Sequence, residues 1–249
     1  MQTLLKAQQV NKYFDQASSR IHVLQDVSVD IQAQEFIAIM GPSGSGKSTL
    51  LFALSGMDKI DSGDICFQGN DLNDLSDEEL ARIRRQEMGF VFQQPTFIQQ
   101  LSIIDNIMLP CYNDYSGDKN QLYSKAQQLM QRVGIMGLEQ RMVHEVSGGQ
   151  LQRAAICRAI LHQPALLFAD EPTGALNSQS SQEVLTLFEV LNLEGMAILL
   201  VTHDPNVAAR AKRILFMKDG QLETDLRFDQ EETTDKFQAV LDKMAKLGI

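Results

Sequence analysis

Apolar and polar positions in the first fifty residues predict strands, a loop and a helix. Apolar residues alternate with polar ones at 27–31, which is the period of a half-buried strand. The run Phe36–Met40 is apolar throughout, as is typical of a strand buried on both faces. A glycine-rich stretch follows at 41–46, and 47–53 has helical character. The chain therefore begins with strands that lead through a glycine-rich turn into a helix.

The middle of the chain is more polar and predicts helices. Ser76 followed by Glu79 is a capping-box signal for a helix start. Between 122 and 133 the apolar residues recur at helical spacing. Ser147-Gly-Gly then precedes another helical run at 150–161. We expect this part of the chain to be a helical subdomain.

Buried strands return in the second half. The apolar runs at 165–169 and 197–201 are separated by a helix with Val184, Phe188 and Leu191 on one face. Alternation of apolar strands with helices indicates a largely parallel sheet covered by helices. The sequence therefore predicts an α/β fold with a mainly parallel sheet, together with an antiparallel β segment near the N-terminus.

The last forty residues predict a hairpin and a helix. The segment 213–222 has the pattern of two strands that turn at Asp219-Gly220. An acidic stretch at 229–235 leads into a final helix. Its apolar stripe is too wide to leave in water, so we expect it to pack on its own core or on a second subunit rather than on a membrane. The stripe consists of Phe237, Val240, Leu241, Met244 and Leu247.

Composition narrows the functional classes. The chain has 249 residues, with 22 Lys and Arg against 32 Asp and Glu, and its net charge of −10 argues against non-specific nucleic-acid binding. No apolar run approaches the roughly 18 residues of a membrane span, and the N-terminus lacks the features of a signal peptide. Cys66, Cys111 and Cys157 form no CxxC pair, so neither a zinc site nor a disulfide framework is indicated. We expect reduced thiols in a cytosolic protein.

The glycine-rich stretch fits the phosphate-binding pattern G-x-x-x-x-G-K-[ST] in full. Glycines let backbone N–H groups approach a phosphate closely, and the following helix adds its positive N-terminal end. Lys47 is expected to reach the β- and γ-phosphates, and the Ser48 hydroxyl to bind Mg²⁺. The pattern therefore predicts a nucleoside triphosphate site. Its candidate residues are Gly41, Ser43, Gly44, Ser45, Gly46, Lys47, Ser48 and Thr49.

Two acidic residues follow the apolar run at 165–169. In α/β folds the carboxyl ends of parallel strands are where ligands bind. Asp170 is expected to hold Mg²⁺ or its water, as phosphoryl transfer requires. Glu171 is the next residue and points in a different direction from Asp170, and we expect it to orient or deprotonate an attacking water. On their own such acids are more often solvated strand ends, but the phosphate loop upstream favours the catalytic interpretation.

Ser147, Gly148, Gly149 and Gln150 form a second candidate anion site. A hydroxyl, bare N–H groups and the helix dipole come together at this helix start. A simple N-cap at Ser147 is the alternative interpretation. Two such cradles and one Asp-Glu pair suggest that both hold one nucleotide. The sequence leaves open whether they do so within one chain or between two chains.

These motifs, in this order and spacing, resemble the ATP-binding subunits of ABC transporters over residues 3 to 225. The resemblance rests on the phosphate loop, Ser147-Gly-Gly-Gln, the segment from Leu166 through Asp-Glu-Pro-Thr, and Val-Thr-His203-Asp. It implies a P-loop NTPase core that binds ATP and Mg²⁺ and hydrolyses ATP.

The resemblance also implies roles for single residues. Tyr13 would stack on adenine, and His203 would contact the γ-phosphate. Gln93 would touch Mg²⁺ and the attacking water, and would signal to a membrane partner. Ser147 and Gly149 would complete the ATP site of the opposite subunit in a head-to-tail dimer.

A narrower resemblance is to the lipoprotein-releasing, macrolide-efflux and bacitracin-resistance group. It is carried by 83–93, by Asp105-Asn-Ile-Met-Leu-Pro and by Asp170-Glu-Pro-Thr-Gly. The ending Gly174-Ala-Leu-Asn177 and the additional C-terminal helix are most similar to Gram-positive antimicrobial-peptide members. Two positions depart from the family pattern. Asn177 stands where Asp is usual, and Gln34 stands where Gly usually precedes Glu35; the second change is expected to be harmless.

We therefore expect an ATPase subunit that dimerises with a second copy and drives a separate membrane permease from the cytoplasmic face of the cell membrane. Its ATP-binding core would span 1–90 and 159–228, with a helical subdomain at 91–158 and a C-terminal helix at 229–249. A soluble ABC-type ATPase acting on DNA or ribosomes is the alternative, although such proteins usually carry two ATPase units or long insertions. A P-loop kinase or GTPase would leave Ser147-Gly-Gly-Gln unexplained.

Overall fold

The computed structural model describes residues 2–16, 19–112, 117–228 and 235–249. Within these residues the strands are β1 (Thr3–Gln16), β2 (Ser19–Gln32), β3 (Phe36–Met40), β4 (Ser62–Phe67), β5 (Asn70–Asp71), β6 (Met88–Phe92), β7 (Leu166–Asp170), β8 (Ala197–Thr202), β9 (Arg213–Lys218) and β10 (Gln221–Arg227). The helices are α1 (Lys47–Leu54), α2 (Asp77–Glu87), α3 (Ile103–Met108), α4 (Lys119–Arg132), α5 (Gly148–Ile160), α6 (Ser178–Leu193), α7 (Pro205–Ala208) and α8 (Lys236–Leu247). Short 3₁₀ turns lie at Leu109–Cys111 and Val143–Glu145.

The larger sheet has the strand order β10-β9-β3-β8-β7-β6. Its strands are parallel except for β10, which pairs antiparallel with β9. Successive residues of β3 enter two different apolar layers: Ala38 and Met40 face one, and Ile37 and Ile39 face the other. Helices cover both faces, which is why the strands are apolar at every position. The predicted α/β fold with a mainly parallel sheet is confirmed.

The smaller sheet has the order β2-β1-β4-β5 and is antiparallel throughout. In β2, Val27, Val29 and Ile31 are buried while Ser28 is exposed, as the alternation predicts. These valines and the isoleucine pack in the same layer as α1. The predicted antiparallel segment near the N-terminus is confirmed, and its packing places β2 beside the glycine-rich loop.

A helical region connects β6 to β7. It contains α3, α4 and α5, whose apolar sides share one buried layer with α6. The strand β6 continues to Phe92 and α5 continues to Ile160, so the predicted subdomain limits at 91 and 158 fall inside these two elements. The division into a core and a helical subdomain itself stays a prediction.

The hairpin and the last helix form where the sequence predicts them. Lys218 pairs with Gln221 across a two-residue turn in which Asp219 and Gly220 both have positive φ. In α8, Val240 is fully buried in the layer that contains α6, so the helix packs on its own core. Residues 229–234 of the predicted acidic stretch lie outside the described residues. In the part of the chain that the structure describes, we find no helix with the length and apolarity needed to cross a membrane.

Candidate nucleotide site

The glycine-rich loop joins the carboxyl end of β3 to the start of α1. A Cβ on Gly41 would lie 2.0 Å from the Met217 carbonyl oxygen, so no side chain fits there. Gly46 has a φ of 101°, and a Cβ there would lie 2.9 Å from the Val23 carbonyl oxygen. The glycines are therefore required by the close approach of β9 and β2 and by the backbone conformation. They leave a loop whose backbone is available to a ligand.

Lys47 lies buried inside this loop. Its Nζ donates hydrogen bonds to the carbonyl oxygens of Gly41, at 2.9 Å, and Pro42, at 2.8 Å. Burial lowers the pKa of the lysine, while the charges of Glu171 and Asp170 act in the opposite direction. The loop thus holds an ammonium group at its centre that is paired with neutral carbonyls rather than with a bound carboxylate.

Ser45 provides an independent indication of a ligand. The residue is 3% exposed, and its Oγ makes no hydrogen bond with any residue that the structure describes. A buried hydroxyl without a partner is unfavourable unless another group supplies one. In a loop shaped by glycines and centred on a lysine, a phosphate oxygen fits that requirement. Ser43 and Gly44 in the same loop are exposed, and Thr49 is half-buried.

Ser48 and Asp170 bring the loop and the end of β7 together. The Ser48 hydroxyl donates to Asp170 Oδ1 at 2.9 Å. Burial raises the pKa of Asp170, and the hydrogen bond from Ser48 opposes that change. A hydroxyl and a carboxylate side by side are hard oxygen ligands that fit Mg²⁺, which usually completes its shell with phosphate oxygens and water. No cluster of three or more His, Cys, Asp or Glu suited to a metal occurs among the described residues.

Glu171 adopts an unusual backbone conformation. Its φ is 44°, in the left-handed region, and its N–H donates to the Val201 carbonyl oxygen at 2.9 Å. Strain of this kind persists where the surroundings fix it, often at functional sites. The side chain is hydrogen-bonded to His203, with 2.9 Å between Oε1 and Nδ1. Both residues line a cavity of about 490 Å³ that opens beside the end of the sheet.

Gln93 lies next to the same end of the sheet. Phe92, which precedes it, pairs with Asp170 in the parallel ladder. The Gln93 side chain reaches the segment after Glu171, because a Cβ on Gly174 would lie 2.6 Å from Gln93 Nε2. Gln93 thus follows the residue that pairs with Asp170, no hydrogen bond between Gln93 and Asp170 is observed among the described contacts, and its role as a metal ligand stays a prediction.

The Ser147 segment begins α5. Ser147 Oγ accepts a hydrogen bond from the Gln150 N–H, and Gln150 Oε1 accepts one from the Ser147 N–H, which makes a capping box. Ser147 and Gly148 are exposed, whereas Gly149 is buried against Ser180 of α6. The contacts described for this segment are to α5 and α6 and not to the glycine-rich loop.

Tyr13 lies near the loop but already has partners. Its ring stacks on the His22 imidazole with centroids 4.1 Å apart, and the Arg20 guanidinium lies 4.2 Å from the same ring. His22 is followed by Val23, and the Val23 carbonyl oxygen lies close to Gly46 of the phosphate loop. Adenine stacking on Tyr13 remains a prediction, and the Arg20 contact is a feature that the sequence did not indicate.

One contact that supports the loop is not predicted by the sequence. The N–H of Gly220, in the turn of the hairpin, donates to the Ser45 carbonyl oxygen at 3.1 Å. A Cβ on Gly220 would in turn lie 2.6 Å from the Val23 carbonyl oxygen. The sequence identifies the Asp-Gly turn, but nothing in its pattern indicates a partner 175 positions earlier, because the contact depends on the order of strands in the sheet.

Comparisons with known proteins agree with this geometry. The sequence model of the family described as ABC transporter matches residues 24–174. A bacitracin export ATP-binding protein, BceA of Halalkalibacterium halodurans, is 36% identical over 98% of this chain and 97% of its own length. A macrolide export ATP-binding/permease protein, MacB of Chlorobium phaeobacteroides, is 41% identical over 91% of this chain. The chain spans about a third (34%) of that protein's length.

A solved structure also matches closely. It is a dimeric ATP-binding cassette in a post-hydrolysis state bound to ADP and phosphate, with a TM-score of 0.85 and 36% identity. The match covers 91% of this chain and 99% of that one. Since the family model covers more than half of the residues and BceA matches along nearly its whole length, the chain belongs to the ABC transporter family and is an ATP-binding cassette of the MacB and BceA type.

Proposed function

We propose that this protein is the ATP-hydrolysing subunit of an ABC transporter and drives a separate membrane protein. The observation that carries the proposal is the 2.9 Å hydrogen bond between Ser48 and Asp170, which unites a phosphate-binding loop with a strand-end carboxylate. Glu171 follows directly and is hydrogen-bonded to His203. This arrangement would provide the parts that phosphoryl transfer requires: a phosphate cradle, a metal position and a group for the attacking water.

The glycine-rich loop would hold the triphosphate. Its backbone N–H groups and the Ser45 hydroxyl would donate to phosphate oxygens, and Lys47 would exchange its two carbonyl partners for the β- and γ-phosphates. Ser48, Asp170 and Gln93 would hold Mg²⁺, which when bound neutralises charge on the phosphates. Tyr13 would stack on the adenine.

Glu171 would act on the attacking water. Its carboxylate accepts a proton from the water as the water oxygen forms a bond to the γ-phosphorus and the bond to the β–γ bridging oxygen breaks. The products are ADP and inorganic phosphate. His203, which is hydrogen-bonded to Glu171 through Nδ1, would contact the γ-phosphate with its other ring nitrogen. The left-handed backbone at Glu171 fixes the direction in which this carboxylate leaves β7.

A second copy of the chain would complete the site. Ser147 and Gly148 are exposed at the start of α5, where the N-terminal end of a 13-residue helix favours a negative charge. Ser147 to Gln150 would bind the γ-phosphate held by the loop of the partner. The dimeric form of the related cassette supports a dimer, which this arrangement would make head-to-tail.

The membrane partner would be a permease, with this chain at the cytoplasmic face of the membrane. The MacB relatives are named as combined ATP-binding and permease proteins, and this chain matches only a third of their length. BceA, which matches throughout, is named as an ATP-binding protein alone. The work driven would be export, resistance to an antimicrobial peptide or mechanical work at the envelope. The names of the relatives, bacitracin export for BceA and macrolide export for MacB, support export. The acidic balance of the chain gives no support to the nucleic-acid alternative.

Replacement of Glu171 by Gln tests the proposed chemistry. The amide keeps the size of the side chain but accepts no proton at neutral pH, so phosphate release should fall by about 10²-fold or more while Mg-ATP still binds. The bound ATP should then hold two copies together, which light scattering measures. Glu223→Gln, on the exposed side of β10, is the matched control and should keep normal turnover. Near-normal turnover of Glu171→Gln would remove this residue from the proposed role.

A further inference from the structure

Gln152 is a buried amide in the middle of α5. It is 0% exposed, and its Nε2 donates to the Phe92 carbonyl oxygen at 3.0 Å. Its Oε1 is also buried and makes no hydrogen bond with any described residue. An apolar side chain would fill this position without an unpaired oxygen, so packing alone does not account for a glutamine. The one hydrogen bond that this side chain makes with the described residues is to Phe92, directly before Gln93.

Arg158 lies six residues further along the same helix. Its Nη1 donates to the Thr96 carbonyl oxygen at 2.6 Å, and the guanidinium lies 4.6 Å from the centroid of the Phe97 ring. Burial lowers the pKa of this arginine. A partly buried guanidinium that donates to a carbonyl and lies over an aromatic face holds both groups in a fixed direction. Here they lie three and four residues after Gln93.

The two side chains therefore hold the chain on both sides of Gln93. Gln152 binds the residue before it, and Arg158 binds the third residue after it. Gln93 itself is exposed, and its amide reaches Gly174 beside the site. The position of an exposed side chain is set by its backbone, and both backbone anchors come from α5.

We infer that Gln152 and Arg158 are positioning residues that hold Gln93 at the magnesium end of the nucleotide site. The inference rests on the proposed role of Gln93 as a ligand of Mg²⁺. It also links two parts of the mechanism, because α5 begins with the Ser147 segment that would complete the partner's site. A shift of this helix would move Gln93 and Ser147 together, since both are attached to it.

Hydrogen exchange of the nucleotide-free protein tests the positioning directly. Gln152→Met keeps the length of the side chain without a donor, and Arg158→Met removes the guanidinium. In each variant the amides of Gln93, Gln94, Thr96 and Phe97 should exchange at least about five-fold faster, which corresponds to loss of one ordinary hydrogen bond. The control is Arg153→Met on the same helix, because Arg153 pairs with Glu183 of α6 and has no described contact with 93–97. It should leave exchange at 93–97 unchanged.

Calorimetry of ATP binding with and without Mg²⁺ gives a second readout. In EDTA, both variants should bind ATP with an affinity within about two-fold of that of the wild type. Mg²⁺ increases the affinity for ATP, and this increase should be about five-fold smaller in both variants than in the wild type. Gln93→Ala should lose the same gain, and adding Arg158→Met to it should change the Mg²⁺ effect less than two-fold, because the pair acts through one residue. Arg158→Lys, which keeps a donor for Thr96, should recover most of the loss.

The two readouts separate failure of the inference from failure of the proposed function. If Gln93→Ala leaves the Mg²⁺ effect intact, Gln93 is not a metal ligand, and the exchange measurement still decides whether Gln152 and Arg158 hold the segment. If Gln93→Ala reduces the Mg²⁺ effect while Gln152→Met and Arg158→Met change neither exchange at 93–97 nor that effect, the inference is overturned. A general loss of protection in α5 with a matched fall in Tm, without a selective change at 93–97, overturns it as well.

Discussion

Ser48 and Asp170 lie 122 positions apart in the sequence, and the Ser48 hydroxyl donates a hydrogen bond to the Asp170 carboxylate at 2.9 Å. The contact exists because β3 and β7 both pair with β8, which brings their carboxyl ends to one edge of the sheet. The loop after β3 and the acids after β7 therefore meet without any local signal between them. The topology of the sheet, rather than either motif alone, makes the site.

Lys47→Ala should abolish most nucleotide affinity. The ammonium is buried in the loop, and in the ATP complex it would pair with the β- and γ-phosphates. Loss of charge-assisted hydrogen bonds, at about 1.5–3 kcal/mol each, should weaken Mg-ATP binding by at least about ten-fold. Titration calorimetry measures the affinity. Lys59→Ala, at an exposed lysine, is the control, and an unchanged affinity of Lys47→Ala would count against the whole proposal.

Asp170→Asn should stabilise the nucleotide-free protein at neutral pH. Burial raises the pKa of Asp170, so the native state favours the protonated carboxyl. Asp170 therefore contributes favourably to the free energy of unfolding below its unfolded-state pKa of about 3.9. This contribution is lost as the pH rises through the higher pKa of the folded state. Asn is neutral at every pH and still accepts from Ser48. The gain in free energy of unfolding over the wild type should therefore be larger at pH 7 than at pH 4.

Urea unfolding of both proteins at the two pH values checks this expectation. Other carboxylates titrate in the same range, but their contributions cancel in the difference between wild type and variant. A gain that is equal at both pH values would show that the charge of Asp170 is not costly in the fold. The same variant should lose Mg²⁺-dependent nucleotide affinity, because the amide is a poorer ligand for Mg²⁺ than a carboxylate.

Gln34→Gly should stabilise the fold modestly. Gln34 occupies the turn between β2 and β3 with a φ of 64°, which explains why the family pattern has glycine there. The left-handed conformation costs a non-glycine residue about 1–2 kcal/mol, and part of the gain is offset by the extra freedom of glycine in the unfolded chain. We expect a net increase of about 0.5–1 kcal/mol in the free energy of unfolding.

Gln128→Gly is the matched control for that substitution. Gln128 is exposed in the interior of α4, where glycine should reduce stability by about 0.5–1 kcal/mol. Opposite signs for the two substitutions in denaturant unfolding would confirm the conformational argument. Loss of stability in both variants would contradict it and would show that Gln34 makes a contribution through its side chain.

The elements that the sequence predicted correctly are those determined by local patterns of residues. The apolar run before the glycine-rich loop, the Ser76–Glu79 capping box and the Asp219-Gly220 turn each depend on residues close in sequence, and each is present in the structure. The family resemblance added the order of the motifs and is confirmed by the comparisons. Roles of single residues at the site stay predictions, because they concern contacts to a nucleotide.

Contacts between elements that are distant in the chain could not be predicted from the sequence. Hydrophobic periodicity predicts neither the stacking of Arg20 on Tyr13 nor the hydrogen bond from Gln152 to Phe92. The pattern marks these side chains only as polar, and a polar side chain can equally well lie in solvent. Asn177 shows the same limit. The sequence marks it as a departure from a family pattern, whereas the structure shows which hydrogen bond it makes.

Asn177→Asp should change ATPase activity only moderately. Asn177 is the N-cap of α6, and its Oδ1 accepts a hydrogen bond from the Ser180 N–H at 2.9 Å. Asp caps helices about as well as Asn, and its charge favours the helix N-terminus by about 0.3–1 kcal/mol at an exposed position. The carboxylate would, however, add a negative charge to the segment that follows Glu171. We therefore expect stability within about 1 kcal/mol of the wild type, and turnover within about ten-fold.

Steady-state phosphate release of the two proteins, each reconstituted with the membrane subunit, checks this prediction. Asn177→Ala serves as the control, because it removes the cap and should lower the free energy of unfolding by about 1 kcal/mol. An active wild type with a moderate change in Asn177→Asp means that Asn fulfils the role of the usual Asp through the cap, which needs an acceptor and not a charge. If the wild type is inactive and Asn177→Asp restores turnover, the position requires a carboxylate. The proposal that this chain is an active hydrolase then fails.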